Sequence, residues 1–200
     1  MKINNNYKYN LSFEKQLKAK ATIQCCNEPE KCFIYELSTE KDSDYFEKLG
    51  EKDWDSSVFI DVFDMRIKDK NDNEHIYVME SAQKELLGIV QVNGDLECGE
   101  NQFVEYLATN PSYSSKNDYR DRKYIGQTLM AFLAKNFDNN YTQCITIKNP
   151  LASAVDFYID KCNFSLVDDD SLILFLPKKD FNKLIQRNEE STQGRLELFC

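Results

Sequence analysis

Glycine and proline are scarce in this chain, which has six glycines and four prolines among 200 residues. Flexible and extended linkers are rich in those residues, so their scarcity argues against low-complexity segments joining several units. The chain also lacks an apolar run of 18 residues, and its N-terminus has no apolar segment of the signal-peptide kind. We therefore predict neither a membrane span nor secretion, and expect one cytoplasmic domain with a hydrophobic core.

Positive charge is also in short supply, with 25 Lys and Arg against 34 Asp and Glu and a formal net charge of −9. A protein whose main partner is nucleic acid or an anionic membrane normally carries the opposite balance, so neither partner is predicted. An acidic surface favours cationic partners instead, including small amines and lysine-bearing peptides.

Histidine occurs once, at His75, which we interpret as a structural residue at a hairpin edge and do not nominate as a base. The seven cysteines are an odd number with no Cys-x-x-Cys pair, which is typical of free thiols in a reducing cytosol. A metal site built from Cys25, Cys26 and Cys32 lacks partner ligands, so no metal is predicted.

Apolar periodicity divides the chain into short strands and helices. Strands are predicted at residues 32–37, 75–80, 86–92, 103–109, 143–147, 164–167 and 172–176, with two antiparallel hairpins at 75–92 and 164–176. Helices are predicted at 38–49, 124–137 and 177–187, and another begins at Asn149-Pro150, where Asn149 could cap it. Residues 58–67 suit either a strand or a short buried helix.

The strand–helix–strand unit between residues 103 and 147 requires a parallel strand pair with a right-handed crossover. The fold class is therefore α+β, or mixed α/β, with a twisted and mostly antiparallel sheet flanked by helices. We place the domain at residues 32–187, after a polar extension (1–31) in which Leu11, Phe13, Leu17 and Ile23 could pack one short helix. Residues 188–200 form a polar tail whose apolar tip, 196–199, could add one strand here or on a neighbouring subunit.

The stretch from Phe103 to Phe137 is the part of the sequence that most suggests a binding site. A strand ends at Asn110-Pro111, a polar loop follows, and a helix then begins whose apolar residues recur with a period of 3.6 at 125, 129, 133 and 137. The loop carries Lys116, Arg120, Arg122 and Lys123 against two aspartates. Free N–H groups at a helix start attract anions, so this stretch suggests a phosphate site, although a solvated basic loop in an ordinary crossover would look similar.

Two segments resemble the GNAT superfamily of N-acetyltransferases. Thr109-Asn110-Pro111 and Tyr124-Ile125-Gly126 are similar to the V-x-P and G-x-G elements of that family's acyl-CoA-binding core. Tyr124 replaces a glycine, Asp121 stands where the family has Arg or Gln, and the loop between them is longer. The segment 149–164 resembles N-x-x-A-x-x-F-Y-x-x-x-G-F, with Asn163 in place of the glycine and one extra residue before Phe164.

The resemblance implies a GNAT-like fold and an acetyl-CoA-dependent N-acetyltransferase, an acyltransferase acting on a primary amine of a small molecule or a protein. Dimers are common in that family, so a homodimer is also implied. The main alternative is a catalytically weakened GNAT-like domain that senses acyl-CoA or binds another protein. A third reading is an unrelated α+β binding domain.

The resemblance also implies roles for individual residues. Tyr158 would be the general acid toward the coenzyme A sulfur, and Glu105 is the candidate base, although attack without a dedicated base stays open. Period-two alternation predicts Glu105 on the same face as Phe103 and Leu107. Thioester and pyrophosphate would contact Leu107, Ala108, Thr109, Arg122, Lys123, Tyr124, Ile125, Gly126, Gln127 and Asn149. Tyr45, Phe46 and Trp54 are candidates for the acceptor wall, with ordinary packing as the alternative.

Overall fold

The computed structural model describes residues 15–37, 73–94, 100–113, 120–138, 141–168 and 172–199. These residues form a sheet of ten strands. The strands are β1 Gln16–Cys25, β2 Glu28–Leu37, β3 Glu74–Ser81, β4 Leu86–Asn93, β5 Asn101–Thr109, β6 Arg122–Lys123, β7 Cys144–Lys148, β8 Ser165–Asp168, β9 Ile173–Pro177 and β10 Glu197–Leu198. Their order is β10-β1-β2-β3-β4-β5-β7-β9-β8, with β6 paired to β1.

Every pairing in this sheet is antiparallel except the central one between β5 and β7, which is parallel. The predicted fold class is therefore confirmed, as are the two hairpins, β3–β4 and β8–β9. The turn between β1 and β2 consists of two residues with positive φ, Cys26 at 52° and Asn27 at 69°. Two left-handed residues match the twist of a tight hairpin, which explains why β1 leads directly back into β2.

Helix α1, Ile125–Asn136, lies across the sheet. A Cβ built on Gly88 of β4 would lie 2.9 Å from the side chains of Ile125 and Leu129, so the missing side chain lets the helix sit directly on the strand. All residues from 125 to 134 are buried. The predicted apolar positions 125, 129, 133 and 137 are among the buried ones, and burial extends around the whole helix.

Helix α2, Phe181–Thr192, packs beside α1, and Thr128 Oγ1 donates to Asn188 Oδ1 across the contact at 3.0 Å. A third helical segment, residues 152–162, joins β7 to β8 and combines a 3₁₀ turn with a π-helical turn at Phe157–Lys161. Among the described residues, no helix is both long and apolar enough to cross a membrane.

Both predicted boundaries of the domain fall inside regular structure. The short helix predicted within residues 1–31 is wrong for 16–25, which form β1, because Ala19, Ala21 and Ile23 are buried with a period of two. Residue 32 lies inside β2, and residue 188 lies inside α2. The apolar tip does add a strand, since Leu198 of β10 pairs with Ala19 of β1 in the same chain.

Several predictions concern residues outside the described ranges. These are the helix at 38–49, the segment 58–67, the packing positions Leu11 and Phe13, and the acceptor-wall candidates Tyr45, Phe46 and Trp54. They stay predictions.

His75 lies in the interior of the sheet, because β3 is flanked by β2 and β4, so the predicted hairpin edge is wrong. Its Nδ1 is 2.7 Å from Glu36 Oε1, and Lys18 Nζ is 2.8 Å from Glu36 Oε2. Burial by itself would raise the pKa of Glu36, but the hydrogen bonds from His75 and Lys18 outweigh it and lower the pKa to about 2. His75 is thus a structural partner of a buried carboxylate.

This network predicts a specific sensitivity to acid. A carboxyl whose pKa is lowered on folding stabilises the protein above its usual pKa of 4.5, and this contribution is lost as the pH falls toward 2. We expect the free energy of unfolding, measured by urea denaturation from pH 7 to pH 3, to fall more steeply for wild type than for Glu36→Gln. Glu28→Gln, at the exposed start of β2, is the matched control, and parallel curves for all three proteins would contradict the assignment.

Candidate active site

Strand β5 parts from its neighbour β7 partway along its length. The parallel pairing runs from Asn101–Cys144 to Val104–Ile147 and then stops. Strand β5 continues to Thr109 but pairs only with β4 on its other side. One edge of the last five residues of β5 is therefore released from the sheet, as the resemblance implies, and residues 106–109 are half-buried.

A β-bulge lies at the start of this released stretch. Val92 of β4 opposes Val104, whereas the preceding residue, Gln91, opposes Tyr106, so Glu105 is the extra residue. A bulge interrupts the alternation of side chains, and bulges often redirect a side chain next to an active site. The side chain of Glu105 is exposed.

The predicted common face for Phe103, Glu105 and Leu107 is wrong because of the bulge. Val104 and Leu107, three residues apart, both pack in the main core between the sheet and α1. Phe103, which is adjacent to Val104, instead lies under the Lys148 ammonium, 4.4 Å from the ring centroid. Alternation holds on each side of Glu105 but not across it.

Along the released stretch, the backbone N–H and C=O groups of successive residues point alternately toward β4 and away from it. Asn110 N donates to Leu87 O at 2.8 Å, so the N–H group of Asn110 faces β4, and by alternation the same holds for Ala108. The backbone groups of Leu107 and Thr109 are therefore directed away from β4, toward the edge that is released from β7. Of the three predicted donors, Leu107 and Thr109 have the required orientation, whereas Ala108 directs its N–H group to β4.

Helix α1 begins opposite the end of β5 with a residue in the left-handed conformation. Tyr124 has φ 69° and ψ 12°, and Thr128 N donates the first helical bond to its carbonyl at 2.8 Å. The N–H groups of Ile125, Gly126 and Gln127 have no acceptor within the helix. The backbone thus adopts the conformation that a glycine would favour, at a cost of about 1–2 kcal/mol for tyrosine, whose ring is 37% exposed.

Gly126 marks the point where the three elements of the site meet. A Cβ built on it would lie 3.2 Å from Phe157 Cζ and 3.5 Å from Thr109 Cγ2. The end of β5, the start of α1 and the helical segment 152–162 therefore converge at one glycine. Sequence reasoning missed Phe157, because the Phe-Tyr pair was interpreted only through its tyrosine.

Tyr158 lies in the π-helical turn and is only 7% exposed. Its ring packs edge-to-face between Phe157, at 5.2 Å between centroids, and Phe164, at 5.8 Å. Among the described residues, its hydroxyl is not one of the buried polar atoms that lack a hydrogen-bond partner. Burial raises the pKa of Tyr158 above its usual range, so the hydroxyl keeps its proton at neutral pH.

In the segment 149–164, a turn is present at Asn163, but the helix cap predicted at Asn149 is not. Asn163 has φ 62°, a conformation that asparagine tolerates, which explains its presence where the family has glycine. The predicted cap by Asn149 is wrong, because the first helical turn begins at Ala152 with Leu151 in the capping position. Asn149 instead donates its backbone N–H to Leu172 O at 3.2 Å. Leu151, in the capping position, is 77% exposed, whereas Tyr158 is buried.

Arg122 is held by two carboxylates from other strands and turns. Its Nε lies 2.7 Å from Glu30 Oε2 and its Nη1 lies 2.8 Å from Glu85 Oε2, while Tyr113 donates its hydroxyl to Glu85 Oε1 at 2.7 Å. The hydrogen bond to Glu30 raises the pKa of Arg122, so the guanidinium stays charged. Lys123 differs, since its Nζ donates to Asn27 Oδ1 at 3.3 Å and has no carboxylate partner in the part of the chain that is described.

The positions predicted for the thioester and pyrophosphate are thus only partly brought together. The stretch 107–109 and the helix start at 124–127 meet through Gly126, with Phe157 against them. Arg122 lies just before this helix start with its charge directed at Glu30 and Glu85, two residues that sequence reasoning did not connect with the site. Lys116 lies outside the described ranges.

No family model matches the chain, and no curated protein matches it. Solved structures do. An uncharacterized protein from Bacillus halodurans aligns with TM-score 0.60 and 14% identity, over 90% of this chain and 98% of that one. The ribosomal-protein-S18-alanine N-acetyltransferase of Escherichia coli aligns with TM-score 0.52 and 13% identity, over 73% and 93%. A Desulfovibrio desulfuricans protein assigned to the GNAT family aligns with TM-score 0.55 and 10% identity, over 74% and 99%.

The chain therefore has the fold of the GNAT superfamily of N-acetyltransferases. The predicted resemblance is confirmed at that level. At 10–14% identity, the similarity extends to the arrangement of strands and helices and not to individual side chains.

The strained tyrosine at the helix start yields a stability prediction. Tyr124→Gly should increase the free energy of unfolding by about 0.5–1 kcal/mol, because relief of the left-handed strain exceeds the entropy cost of glycine. Gln193→Gly, at φ 54° after α2, is the matched control and should show a similar gain. Urea denaturation measures both, and a loss of stability confined to Tyr124→Gly would show that the tyrosine ring makes stabilising contacts.

The two neighbouring cations should respond differently to loss of charge. Arg122→Gln leaves Glu30 and Glu85 without their shared partner and should lower the free energy of unfolding by about 1–3 kcal/mol. Lys123→Gln removes a more exposed charge and should change it by less than about 0.5 kcal/mol. Equal effects in urea denaturation would contradict the assignment of Arg122 as a structural ion-pair partner.

Proposed function

We propose that the protein is an acetyl-CoA-dependent N-acetyltransferase that acts on a primary amine of a small molecule or a protein. The observation that carries the proposal is the release of β5 from β7 directly opposite the free N-terminus of α1. A released strand edge and an uncapped helix start are two sets of fixed N–H donors a short distance apart. Such donors suit a molecule with a carbonyl at one end and phosphates at the other.

The cosubstrate would lie along the released edge of β5 and the start of α1. The N–H groups of Ile125, Gly126 and Gln127 would receive the pyrophosphate, supported by the dipole of α1. We assign the accompanying positive charge to Lys123, because Arg122 is bound by Glu30 and Glu85. The left-handed conformation of Tyr124 preserves the path of the backbone, so its side chain does not by itself exclude phosphate.

The reaction needs few groups from the protein. The amine loses a proton and attacks the thioester carbonyl, and the oxyanion that develops accepts hydrogen bonds from the N–H groups of Leu107 and Thr109. The carbon–sulfur bond then breaks, and the thiolate receives a proton from the Tyr158 hydroxyl. The second proton that the acylated nitrogen loses returns the tyrosinate to its neutral form. We assign to Glu105, which is exposed at the bulge where β5 leaves β7, the role of taking the amine proton directly or through water.

The acceptor is expected to be cationic before it reacts, which agrees with the net charge of −9. Among the structural neighbours, the Escherichia coli enzyme is named for acetylation of an alanine of ribosomal protein S18. Both small amines and peptide amines therefore belong in the first substrate panel.

Tyr158→Phe tests the proposed acid. The variant keeps the ring packing between Phe157 and Phe164, so we expect the Kd for acetyl-CoA, measured by calorimetry, to change by less than about threefold. The kcat for amine-dependent release of coenzyme A thiol should fall by about 10²-fold or more, because proton donation to the leaving thiolate is lost. Tyr141→Phe, at a tyrosine that is 57% exposed, is the matched control and should leave both quantities unchanged.

Two outcomes would contradict different parts of the proposal. Failure of well-folded wild type to bind acetyl-CoA would overturn the proposed function as a whole. Equal kcat values for wild type and Tyr158→Phe would remove only the role of Tyr158.

A further inference from the structure

Two adjacent thiols and a carboxylate converge at the turn between β1 and β2. The Sγ atoms of Cys25 and Cys26 and a carboxylate oxygen of Asp121 all lie within 4.8 Å of one another. Cys25 is half-buried, and the other two side chains are exposed. Asp121 is 95 residues further along the chain than Cys26, so only the fold brings it to the cysteines.

The backbone explains why neighbouring cysteines share one side of the turn. Successive side chains of a strand point to opposite faces, but the φ of 52° at Cys26 breaks that alternation, and the two Sγ atoms lie within 4.8 Å of each other. Asp121 is held in place by its own backbone, because Cys26 N donates to Asp121 O at 2.7 Å. The next residue, Arg122, pairs with Cys25 in the β1–β6 ladder.

We propose that Cys25, Cys26 and Asp121 form a binding site for a thiophilic divalent cation such as Zn²⁺, with water in the fourth position. Zinc binds thiolate sulfur at about 2.3 Å and carboxylate oxygen at about 2.0–2.2 Å in tetrahedral geometry, which places its ligand atoms about 3.5–3.8 Å apart. The present separations exceed that range by about 1 Å at most, a difference that small side-chain rotations can close.

This donor set differs from the combination of Cys25, Cys26 and Cys32, for which the sequence predicts no metal site. Cys32 is completely buried in the core, where no water or ion reaches it. Asp121 replaces it as the third ligand, and a carboxylate beside two thiolates is a ligand type that zinc accepts. The aspartate also stands where the resembled family has Arg or Gln, so this position has exchanged a cationic or neutral side chain for an anionic one.

Binding is an exchange of protons for metal, with no change of oxidation state. Each thiol loses its proton to solvent and forms a sulfur–metal bond, so two protons are released for each cation bound. Lys123, paired with Gln24 in the β1–β6 ladder, adds positive charge beside the resulting anionic complex.

The proposed site joins two parts of the chain that are far apart in sequence. One side is the β1–β2 turn, and the other is the short segment that enters α1 through Tyr124. A bound cation would link them more tightly than the present backbone bond. This inference does not depend on the proposed acetyltransfer, and it can be tested without acetyl-CoA.

Calorimetric titration of the reduced, metal-free protein with Zn²⁺, in buffers of different ionisation enthalpy, is the test. We expect one cation per chain at this site and release of two protons. Cd²⁺ should produce thiolate-to-metal charge-transfer absorption in the ultraviolet. A roughly hundredfold excess of Zn²⁺ over its Kd should raise the Tm by about 5 °C.

Variants locate the binding. Cys25→Ser/Cys26→Ser should abolish the absorption and the Tm shift, and Asp121→Asn should weaken binding by about tenfold or more. Cys144→Ser, at a half-buried cysteine on β7, is the matched control and should bind like wild type. Metal-free Tm values and circular dichroism spectra must agree among the proteins, and if the double serine variant fails this check, the single variant Cys26→Ser at the exposed position replaces it.

Three results would overturn the proposal. Cation binding by the double serine variant with wild-type affinity would place the ligands elsewhere. Absence of charge-transfer absorption in wild type would exclude thiolate coordination. Equal weakening by Cys144→Ser and by the turn variants would show unspecific binding to thiols.

Discussion

The close packing of α1 on β4 is the constraint on which the rest of the structure depends. Gly88 has no side chain, so Ile125 and Leu129 rest directly on the strand, and the helix is buried from 125 to 134. A helix held so firmly has little freedom to tilt, and its N-terminus is therefore fixed opposite the released end of β5. The free N–H groups of the site are positioned by core packing and not by the loop that precedes them.

The backbone conforms to the GNAT pattern at two positions where the side chains do not. Tyr124 and Asn163 both adopt positive φ where the resembled family has glycine. Asparagine tolerates that conformation, whereas tyrosine is strained in it. A tyrosine at such a position adds local strain and exposed surface, while the backbone keeps the left-handed conformation.

The positively charged side chains that precede α1 in the sequence have different partners in the structure. Arg122 binds Glu30 and Glu85, so its charge links β6 to β2 and to the β3–β4 turn and is engaged by carboxylates. Lys123 and the helix dipole remain to attract an anion. Next to them lie two thiols and a carboxylate, those of Cys25, Cys26 and Asp121, which suit a cation. The segment that leads into α1 therefore has groups suited to an anion beside groups suited to a cation.

Local patterns in the sequence determined the elements: the 3.6-residue period of α1, the strand pairs β3–β4 and β8–β9, and the parallel pair that a strand–helix–strand unit requires. Contacts between distant residues were decided only by the tertiary structure. The bulge at Glu105 depends on register with β4, and Arg122 meets a carboxylate 92 residues away. Phe157 reaches Gly126 only because two helical segments converge. Periodicity reports which face of an element is buried, whereas register and convergence depend on partners that the local sequence does not encode.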